Sequence, residues 1–284
     1  MTRATILFAA PDRPGLVAKL SGFFADQGLN ILEASNYTDL HGERGPRFYM
    51  RLVVDLAATT TRATMESTFA TQLAQPLDGE WSIGYDDRVA RIAVLCTKDP
   101  TCLYDLALRQ KQGELPCEIA LVISNHATLE GAAGSFRLPF YALPITKDTK
   151  PQQEAQVLDL LKRHDVDLVV LARYMQVLSD DFLTKSPPVI NIHHGFLPAF
   201  QGAKPYHQAH ARGVKLIGAT AHYATKDLDE GPIIEQDVER ITHAMAPDEL
   251  VRVGRDVERV VLARAVRAHL ERRVIVEGRR TFVL

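Results

Sequence analysis

The chain has 284 residues, of which 46% are hydrophobic and 24% charged, a composition typical of folded proteins with buried cores. Its 33 basic and 35 acidic residues nearly cancel to a net charge of −2, so we expect no nucleic-acid partner. The three cysteines have no CxxC spacing and no apolar run reaches the roughly 20 residues of a membrane span, so we expect neither a disulfide framework nor a membrane protein. A cytoplasmic protein with one large or two ordinary domains is the prediction.

The first part of the chain predicts a β-α-β-β-α-β order. Hydrophobic periodicity and turn residues indicate strands at 5–10, 30–39, 47–56 and 81–85, and helices at 16–27 and 60–73. Apolar and polar residues alternate along 47–56, which predicts a strand with one buried face. This order is the ferredoxin-like arrangement.

Three segments of this part resemble the ACT domain, a small regulatory module that often binds amino acids. They are PDRPGLV at 11–17, GLNI at 28–31 and FYMR at 48–51. The resemblance implies an effector pocket where the first strand turns into the first helix, formed by Asp12, Arg13, Gly15, Leu16, Asn30 and Ile31. Glycine or methionine is the implied effector, and a dimerisation scaffold without a ligand is the alternative. Such modules pair side by side, so we expect a homo-oligomer.

A polar crossing at 84–91 changes the pattern, and we predict domains at 1–86 and 87–284. Beyond it, short continuous apolar runs alternate with helix-like stretches, which predicts a mostly parallel, doubly wound, Rossmann-like sheet. The runs lie at 92–96, 119–124, 140–143 and 168–172. Ligands of such sheets bind at the carboxyl ends of the strands. These ends carry polar groups at 125–126, 172–175 and 191–194.

The stretch 189–229 holds five of the ten histidines. His193 and His194 are adjacent on an extended segment and are expected to point to opposite sides, and His207 and His210 lack the third and fourth ligands of a usual zinc site. We therefore expect no metal. The chain has neither a GxSxG elbow nor a GxGxxG loop, which argues against a serine nucleophile and a dinucleotide cofactor.

Asn191, His193 and Asp229 remain as candidates for catalysis. A neutral imidazole beside a carboxylate exchanges protons near neutral pH, and a side-chain amide can stabilise an oxyanion. The spacing alone does not establish contact, so a polar pair without a catalytic task is the alternative.

Longer motifs resemble the folate-dependent formyltransferase family. They are NIHHGFLPAFQGA at 191–203, GATAH at 218–222 and LDEGPII at 228–234, with LARYMQVLS at 171–179 resembling the family's pterin-binding loop. With the ACT-like module, they resemble the hydrolytic branch, which converts 10-formyltetrahydrofolate and water to formate and tetrahydrofolate. One departure is Gly195, where a serine is usual.

The resemblance implies roles for single residues. Asn191 binds the formyl oxygen, His193 transfers protons, and Asp229 orients the imidazole and positions the water. The implied substrate-binding residues are Arg173, Tyr174, Met175, Val177, Leu178, Gly218, Thr220 and His222. Folate is the substrate, so no cofactor is expected, and the formate serves purine synthesis and balances one-carbon pools.

Several alternatives stay open. Arg173 can contact the ligand carboxylates or cap a helix, and Met175, Val177 and Leu178 can belong to the core. The chain can also be a formyltransferase with an amine acceptor, although the turn at 97–100 is not the Gly-rich loop that commonly binds an acceptor's phosphate. A third alternative is an amino-acid sensor whose second domain has lost catalysis.

Overall fold

A computed structural model describes residues 3–56, 60–199 and 205–284. Contacts divide the chain into two compact units. The first holds the described residues up to Val89 with Arg272–Ile275 and Phe282–Leu284, and the second holds Ala90–Glu271 and Val276–Thr281, without residues 200–204. The domain boundary between residues 86 and 87 stays a proposal. Residues 200–203, the last part of the motif at 191–203, lie outside the described residues.

The first unit has the predicted element order. Its elements are β1 (Arg3–Pro11), α1 (Leu16–Asp26), β2 (Asn30–Asp39), β3 (Arg47–Asp55), α2 (Arg62–Phe69) and β4 (Glu80–Tyr85). The sheet order is β2-β3-β1-β4 and all three pairings are antiparallel, which confirms the ferredoxin-like arrangement. The second helix ends earlier than predicted, because the chain continues as a π-helical turn (Ala70–Ala74) and a 3₁₀ turn (Gln75–Leu77) that contains Pro76.

Helix α1 follows from its apolar spacing. Leu16, Leu20, Phe23 and Phe24 lie on one face and are buried in the core of this unit. The ring of Phe23 meets the ring of Phe69 edge-on, with centroids 5.5 Å apart. This packing places the turn before α1 beside the end of β1.

Strand β3 departs from its prediction, because both of its faces are buried. Phe48 and Met50 point into the core below the sheet. On the other face, Tyr49 stacks on Phe282 with ring centroids 4.4 Å apart, and Arg51 Nε donates to the carbonyl of Arg272 at 3.2 Å. The alternating pattern was therefore wrong about exposure, because distant residues near the C-terminus cover the more polar face.

Beyond Val89 strands and helices alternate, and a short hairpin whose residues are divided between the two units follows the last helix. The elements are β5 (Ala90–Cys96), α3 (Thr101–Lys111), β6 (Cys117–Ser124), α4 (Glu130–Ser135), β7 (Phe140–Ala142), α5 (Lys150–Arg163), β8 (Leu168–Ala172), α6 (Asp180–Lys185), β9 (Val189–His193), α7 (Pro205–Ala211), β10 (Leu216–Tyr223), β11 (Ile233–Arg240), α8 (Pro247–Leu270), β12 (Val274–Glu277) and β13 (Arg280–Val283). In the described ranges, no helix is both long and apolar enough to cross a membrane.

The large sheet has the order β11-β10-β9-β8-β5-β6-β7. The five neighbouring strands β9, β8, β5, β6 and β7 pair in parallel. Strand β10 pairs antiparallel with both β9 and β11, so the sheet is mostly parallel, as predicted. The carboxyl ends of β8 and β9 therefore meet at one edge. Because β10 runs against β9, His222 lies opposite Asn191 and Thr220 lies opposite His193.

Candidate active site

A cavity of about 270 Å³ opens at the carboxyl ends of β8 and β9. It is lined by nine of the eleven residues predicted to act in catalysis or substrate binding, namely Asn191, His193, Asp229, Arg173, Tyr174, Met175, Val177, Leu178 and His222. Two further predicted residues, Gly218 and Thr220, are not among its described lining residues. Residues far apart in the sequence thus meet where an open α/β sheet commonly binds its ligand.

Asp229 is bound to His193 at the floor of this site. Its Oδ2 lies 3.2 Å from Nδ1 of His193, and the two side chains are only 9% and 4% exposed. Burial alone would raise the pKa of Asp229, but the hydrogen bond that His193 donates, together with the nearby imidazoles, outweighs it, and the pKa is lowered overall. The ionised carboxylate can only accept, so Nδ1 of His193 carries a proton, and in the neutral imidazole Nε2 then carries the lone pair.

The Nε2 atom of His193 is buried and has no hydrogen-bond partner among the described residues. Gly195 contributes to this, since a Cβ atom at position 195 would lie 3.0 Å from Nε2. A serine there, which the resemblance implies, would crowd this nitrogen. The site therefore presents a buried proton acceptor beside a cavity, which is the arrangement that a general base requires.

Asn191 is oriented by His222. Nδ1 of His222 lies 2.9 Å from the carbonyl oxygen of Tyr223, so it donates to that oxygen and leaves Nε2 as an acceptor. Nδ2 of Asn191 lies 3.2 Å from this Nε2 and donates to it. Burial, more than any other influence, lowers the pKa of His222 and favours this neutral form. One N–H of the Asn191 amide is thus used, and the second is left for a ligand in the cavity.

The loop that follows β8 is fixed by hydrogen bonds at four of its residues. Two of these residues bond through their side chains: Arg173 Nη1 donates to both carboxylate oxygens of Glu258, and Tyr174 Oη accepts from Gln153 Nε2. The other two bond through their backbone N–H groups: Met175 N donates to Thr97 Oγ1, and Ser179 N donates to Glu154 Oε1. A loop held this firmly offers its backbone groups in a fixed arrangement, as a flat heterocyclic ligand requires.

Side chains of this loop are more exposed than core residues. Met175 is 56% and Val177 53% exposed, and both line the cavity, so the core alternative for these two residues is wrong. Leu178 is only partly buried and packs against the core cluster of the sheet. Leu228 adds a third exposed apolar side chain to the lining. Exposed apolar groups around a cavity indicate a binding surface.

The guanidinium of Arg173 lies in a buried charge network. Its Nη1 is 2.8 and 2.6 Å from the two carboxylate oxygens of Glu258, which is fully buried on α8. Tyr206 Oη donates to the same carboxylate at 2.7 Å, and Gly254 leaves space for the Tyr206 ring. Arg173 has a φ of 58°, in the left-handed region. A role with ligand carboxylates would require the guanidinium to leave this pair.

Gly218 and Thr220 contribute through packing. A Cβ atom at Gly218 would lie 2.5 Å from the carbonyl oxygen of Asp237, so only glycine fits between β10 and β11 at this point. The hydroxyl of Thr220 accepts from Leu197 N at 3.0 Å and donates to the Gly195 carbonyl at 2.9 Å. Thr220 therefore holds the loop that follows the two histidines.

His194 lies beside His193, with ring centroids 5.5 Å apart and planes inclined by 33°. Both rings line the cavity, so the prediction that they point to opposite sides is wrong. The reason is that β9 ends at His193, and the alternation of an extended strand ends there too. Burial, the charge of Arg173 and the neighbouring imidazole of His193 lower the pKa of His194 to about 4.

The predicted effector residues lie at the start of α1 and of β2. Asp12 and Arg13 are exposed in the turn, and Arg13 Nη2 donates to the Pro76 carbonyl at 3.2 Å. Gly15 has a φ of 88° and precedes α1, whose first residue, Leu16, is buried. Asn30 is exposed and Ile31 packs against the core, and they begin β2.

Sequence reasoning missed the residues that support the loop and the histidines. Glu258, Tyr206, Gln153, Glu154 and Gln236 act through residues that line the cavity. Of these five residues, Glu258 alone has a sequence context that indicates such a role, because it is an acidic residue within the buried apolar face of α8. Among the described residues, no group of three or more His, Cys, Asp or Glu is arranged to hold a metal ion.

Comparison with known proteins matches two family models, one to each of the two segments of the chain that the sequence analysis distinguished. Residues 90–266 match the family model of formyl transferases, and residues 4–59 match that of the ACT domain. A formyltetrahydrofolate deformylase of Synechocystis is 50% identical over 281 residues, which are 99% of this chain and 98% of the relative.

Solved structures agree with this likeness. A formyltetrahydrofolate deformylase of Pseudomonas syringae superposes with a TM-score of 0.93 at 43% identity, over 100% of this chain and 95% of that one. A glycinamide ribonucleotide transformylase of Symbiobacterium toebii superposes with a TM-score of 0.66 at 31% identity, over 70% of this chain and 96% of that one. The predicted fold class and the resemblance to both families are therefore confirmed.

Proposed function

This chain belongs to the formyltetrahydrofolate deformylase family, and we propose that it hydrolyses 10-formyltetrahydrofolate with Asn191, His193 and Asp229 acting on a bound water molecule. The observation that carries the assignment of residues is the buried His193–Asp229 pair, whose free Nε2 lies beside the cavity that Asn191 also lines. A base and an oxyanion donor in one cavity are what formyl hydrolysis requires.

The substrate binds along the loop of residues 173–178. Its pterin ring makes hydrogen bonds to the fixed backbone groups of this loop, and Met175, Val177 and Leu228 supply apolar contact at the mouth of the cavity. Tyr174, Leu178 and His222 complete the lining. Gly218 and Thr220 support this surface from behind the strands, through backbone approach and loop hydrogen bonds.

The chemical step begins when His193 Nε2 takes a proton from the water as the water oxygen bonds to the formyl carbon. The carbonyl electrons move to the formyl oxygen, and the free N–H of Asn191 stabilises the resulting oxyanion. The imidazolium then gives its proton to N10 of the folate, and the bond between the formyl carbon and N10 breaks. Tetrahydrofolate leaves with formic acid, which loses its proton to solvent to give formate. Asp229 remains ionised throughout and stabilises the imidazolium.

Formate release without any acceptor tests this function. Purified protein is incubated with 10-formyltetrahydrofolate in an amine-free buffer, and formate and tetrahydrofolate are measured in parallel. Equal amounts of both products are expected. Formyl transfer to an added amine, with no formate in its absence, would show that the chain is a transferase instead. In the cell, the formate would supply purine synthesis and the reaction would balance one-carbon pools.

The ACT domain is the proposed regulatory site for glycine or methionine, with Asp12, Arg13, Gly15, Leu16, Asn30 and Ile31 as its pocket. The exposed carboxylate of Asp12 and the polar start of β2 support this, since an amino acid presents an ammonium group to such partners. Formate release is measured with increasing glycine or methionine in the wild type and in Asp12→Ala. Loss of the response with an unchanged unregulated rate is expected, whereas a wild type insensitive to both amino acids leaves only a scaffold role.

A further inference from the structure

Water is a weaker nucleophile than a primary amine, and both can attack a formyl carbon. A formyl hydrolase must therefore keep amines away from the carbon that it activates. In this chain Arg173 lines the same cavity as His194, whose ring lies beside that of the proposed base His193. Proximity is also evident in the electrostatics, because the positive charge of Arg173 helps to lower the pKa of His194.

Glu258 is the ion-pair partner of Arg173. Its carboxylate is fully buried and accepts from Arg173 at 2.6 and 2.8 Å and from Tyr206 at 2.7 Å. A buried carboxylate needs a cationic partner, and truncating that partner leaves a costly unpaired charge. Arg173 lines the cavity whereas Glu258 does not, so the arginine side chain separates the carboxylate from the ligand space.

We infer that Arg173 excludes amine acceptors, because its guanidinium occupies the place beside Glu258 that the ammonium group of an acceptor would need. The inference rests on the proposed function, since it explains why water attacks the formyl carbon. It assigns Arg173 as a specificity-determining residue. Without its side chain, Glu258 would face the cavity as a site for small primary amines. The backbone favours this change, because glycine adopts a φ of 58° without strain.

In an Arg173→Gly variant, an amine can replace water as the nucleophile. Glu258 takes one proton from the bound ammonium group and later releases it to solvent. The lone pair of the resulting amine bonds to the formyl carbon, and His193 Nε2 takes the proton that the nitrogen then loses. The imidazolium protonates N10, the bond from N10 to the formyl carbon breaks, and an N-formyl amine leaves with tetrahydrofolate. No oxidant or further reactant is needed.

The partition of the formyl group tests the inference. Wild type and Arg173→Gly are incubated with 10-formyltetrahydrofolate and increasing glycinamide, and formate and N-formylglycinamide are quantified. Wild type is expected to give formate at every glycinamide concentration. Arg173→Gly is expected to raise the ratio of N-formylglycinamide to formate at least tenfold, in proportion to glycinamide. A ratio equal to that of the wild type overturns the inference.

Arg255→Ala is the matched control. Arg255 is linked to the same network through Asp99, whose Oδ2 lies 2.9 Å from Nε of Arg255 and 3.9 Å from Nε of Arg173. Arg255 is nevertheless exposed and does not line the cavity. Its removal is expected to leave the partition at the wild-type ratio. If Arg255→Ala yields as much N-formylglycinamide as Arg173→Gly, then loss of positive charge from the network causes the formyl transfer. The space that the Arg173 side chain fills would not be the cause, and the inference would be wrong.

A binding measurement separates this inference from the proposed function. The melting temperature of Arg173→Gly is followed against methylammonium chloride, with potassium chloride as the ionic-strength control. A rise of several degrees specific to methylammonium is expected in the variant and not in the wild type, because the amine replaces the lost cation. No specific rise overturns the inference, whether or not the wild type releases formate.

A second variant covers the case in which Arg173→Gly does not fold. The double variant Arg173→Gly with Glu258→Gln leaves no unpaired charge but still opens the space. It is expected to form N-formylglycinamide above the wild-type level, although less than a carboxylate-bearing site would. Formate as its sole product overturns the inference. A wild type that releases no formate at all, beside a variant that binds methylammonium, contradicts the proposed function alone.

Discussion

Nδ1 of His193 and Oδ2 of Asp229 lie 3.2 Å apart, and both side chains are buried. The residues come from different elements, since His193 ends β9 and Asp229 lies in the turn after β10 with a φ of 57°. The contact fixes which nitrogen of His193 carries the proton. It leaves Nε2, which has no hydrogen-bond partner among the described residues, as the acceptor beside the cavity.

Asp229→Asn is therefore expected to lower kcat for formate release by roughly 10²–10⁴-fold, because an amide can donate to Nδ1 and reverse the tautomer. The fold should survive, as the two side chains have similar shapes. Asp227→Asn is the matched control, since Asp227 is an exposed carboxylate in the same turn, and its kcat should stay within twofold of the wild type. An Asp229→Asn enzyme with wild-type kcat would show that the pair has only a structural task.

His222→Phe tests the orientation of Asn191. The variant removes the Nε2 acceptor that holds the amide at 3.2 Å, so the oxyanion donor is no longer fixed. We expect kcat to fall roughly 10–100-fold with KM changed less than threefold. The resemblance implied substrate binding by His222, and that role would instead raise KM at an unchanged kcat. His210→Phe, at an exposed histidine of α7, is the control and should match the wild type in both constants.

Much of this architecture could be predicted from the sequence, because local signals agree with the fold. The apolar spacing from Pro247 to Leu270 predicts a helix, and α8 lies at these residues. Strand β8 was likewise predicted at 168–172, as a continuous apolar run between helices. The motif residues Asn191, His193 and Asp229 were identified by type and resemblance, and the structure brings all three to one cavity.

Other features depend on contacts that no local pattern records. The burial of both faces of β3 requires Phe282 and Arg272, which are distant in sequence. The pairing of Arg173 with Glu258 joins a loop after β8 to the middle of α8. The side-by-side placement of His193 and His194 depends on where β9 ends, which periodicity does not determine to one residue.

Thr220→Val tests the support of the loop after the histidines. The hydroxyl of Thr220 is fully buried, accepts from Leu197 N and Gln236 Nε2 and donates to the Gly195 carbonyl. A valine of the same shape leaves these groups unpaired, so we expect the free energy of unfolding in urea to fall by about 2–4 kcal/mol. Thr225→Val removes an exposed hydroxyl that donates to Asp227 O, and it should change stability by less than about 0.5 kcal/mol. If the two variants lower the free energy of unfolding equally, Thr220 does not stabilise this loop through its hydroxyl.

The lowered pKa of His194 predicts a dependence of stability on pH. Burial, Arg173 and His193 lower this pKa from its ordinary value of 6.5 to about 4, against a smaller opposing influence of Asp229. Below pH 6.5 the unfolded chain therefore gains a proton at His194 that the folded chain does not, so this contribution to stability is complete above pH 6.5 and is lost as the pH falls toward 4. Between pH 7 and 4.5 the free energy of unfolding in urea should fall by about 2 kcal/mol more in the wild type than in His194→Gln. His243→Gln, at an exposed histidine of the same chain, is the control and should follow the wild type. If His194→Gln loses as much stability as the wild type over this range, His194 is not held neutral by its burial beside Arg173.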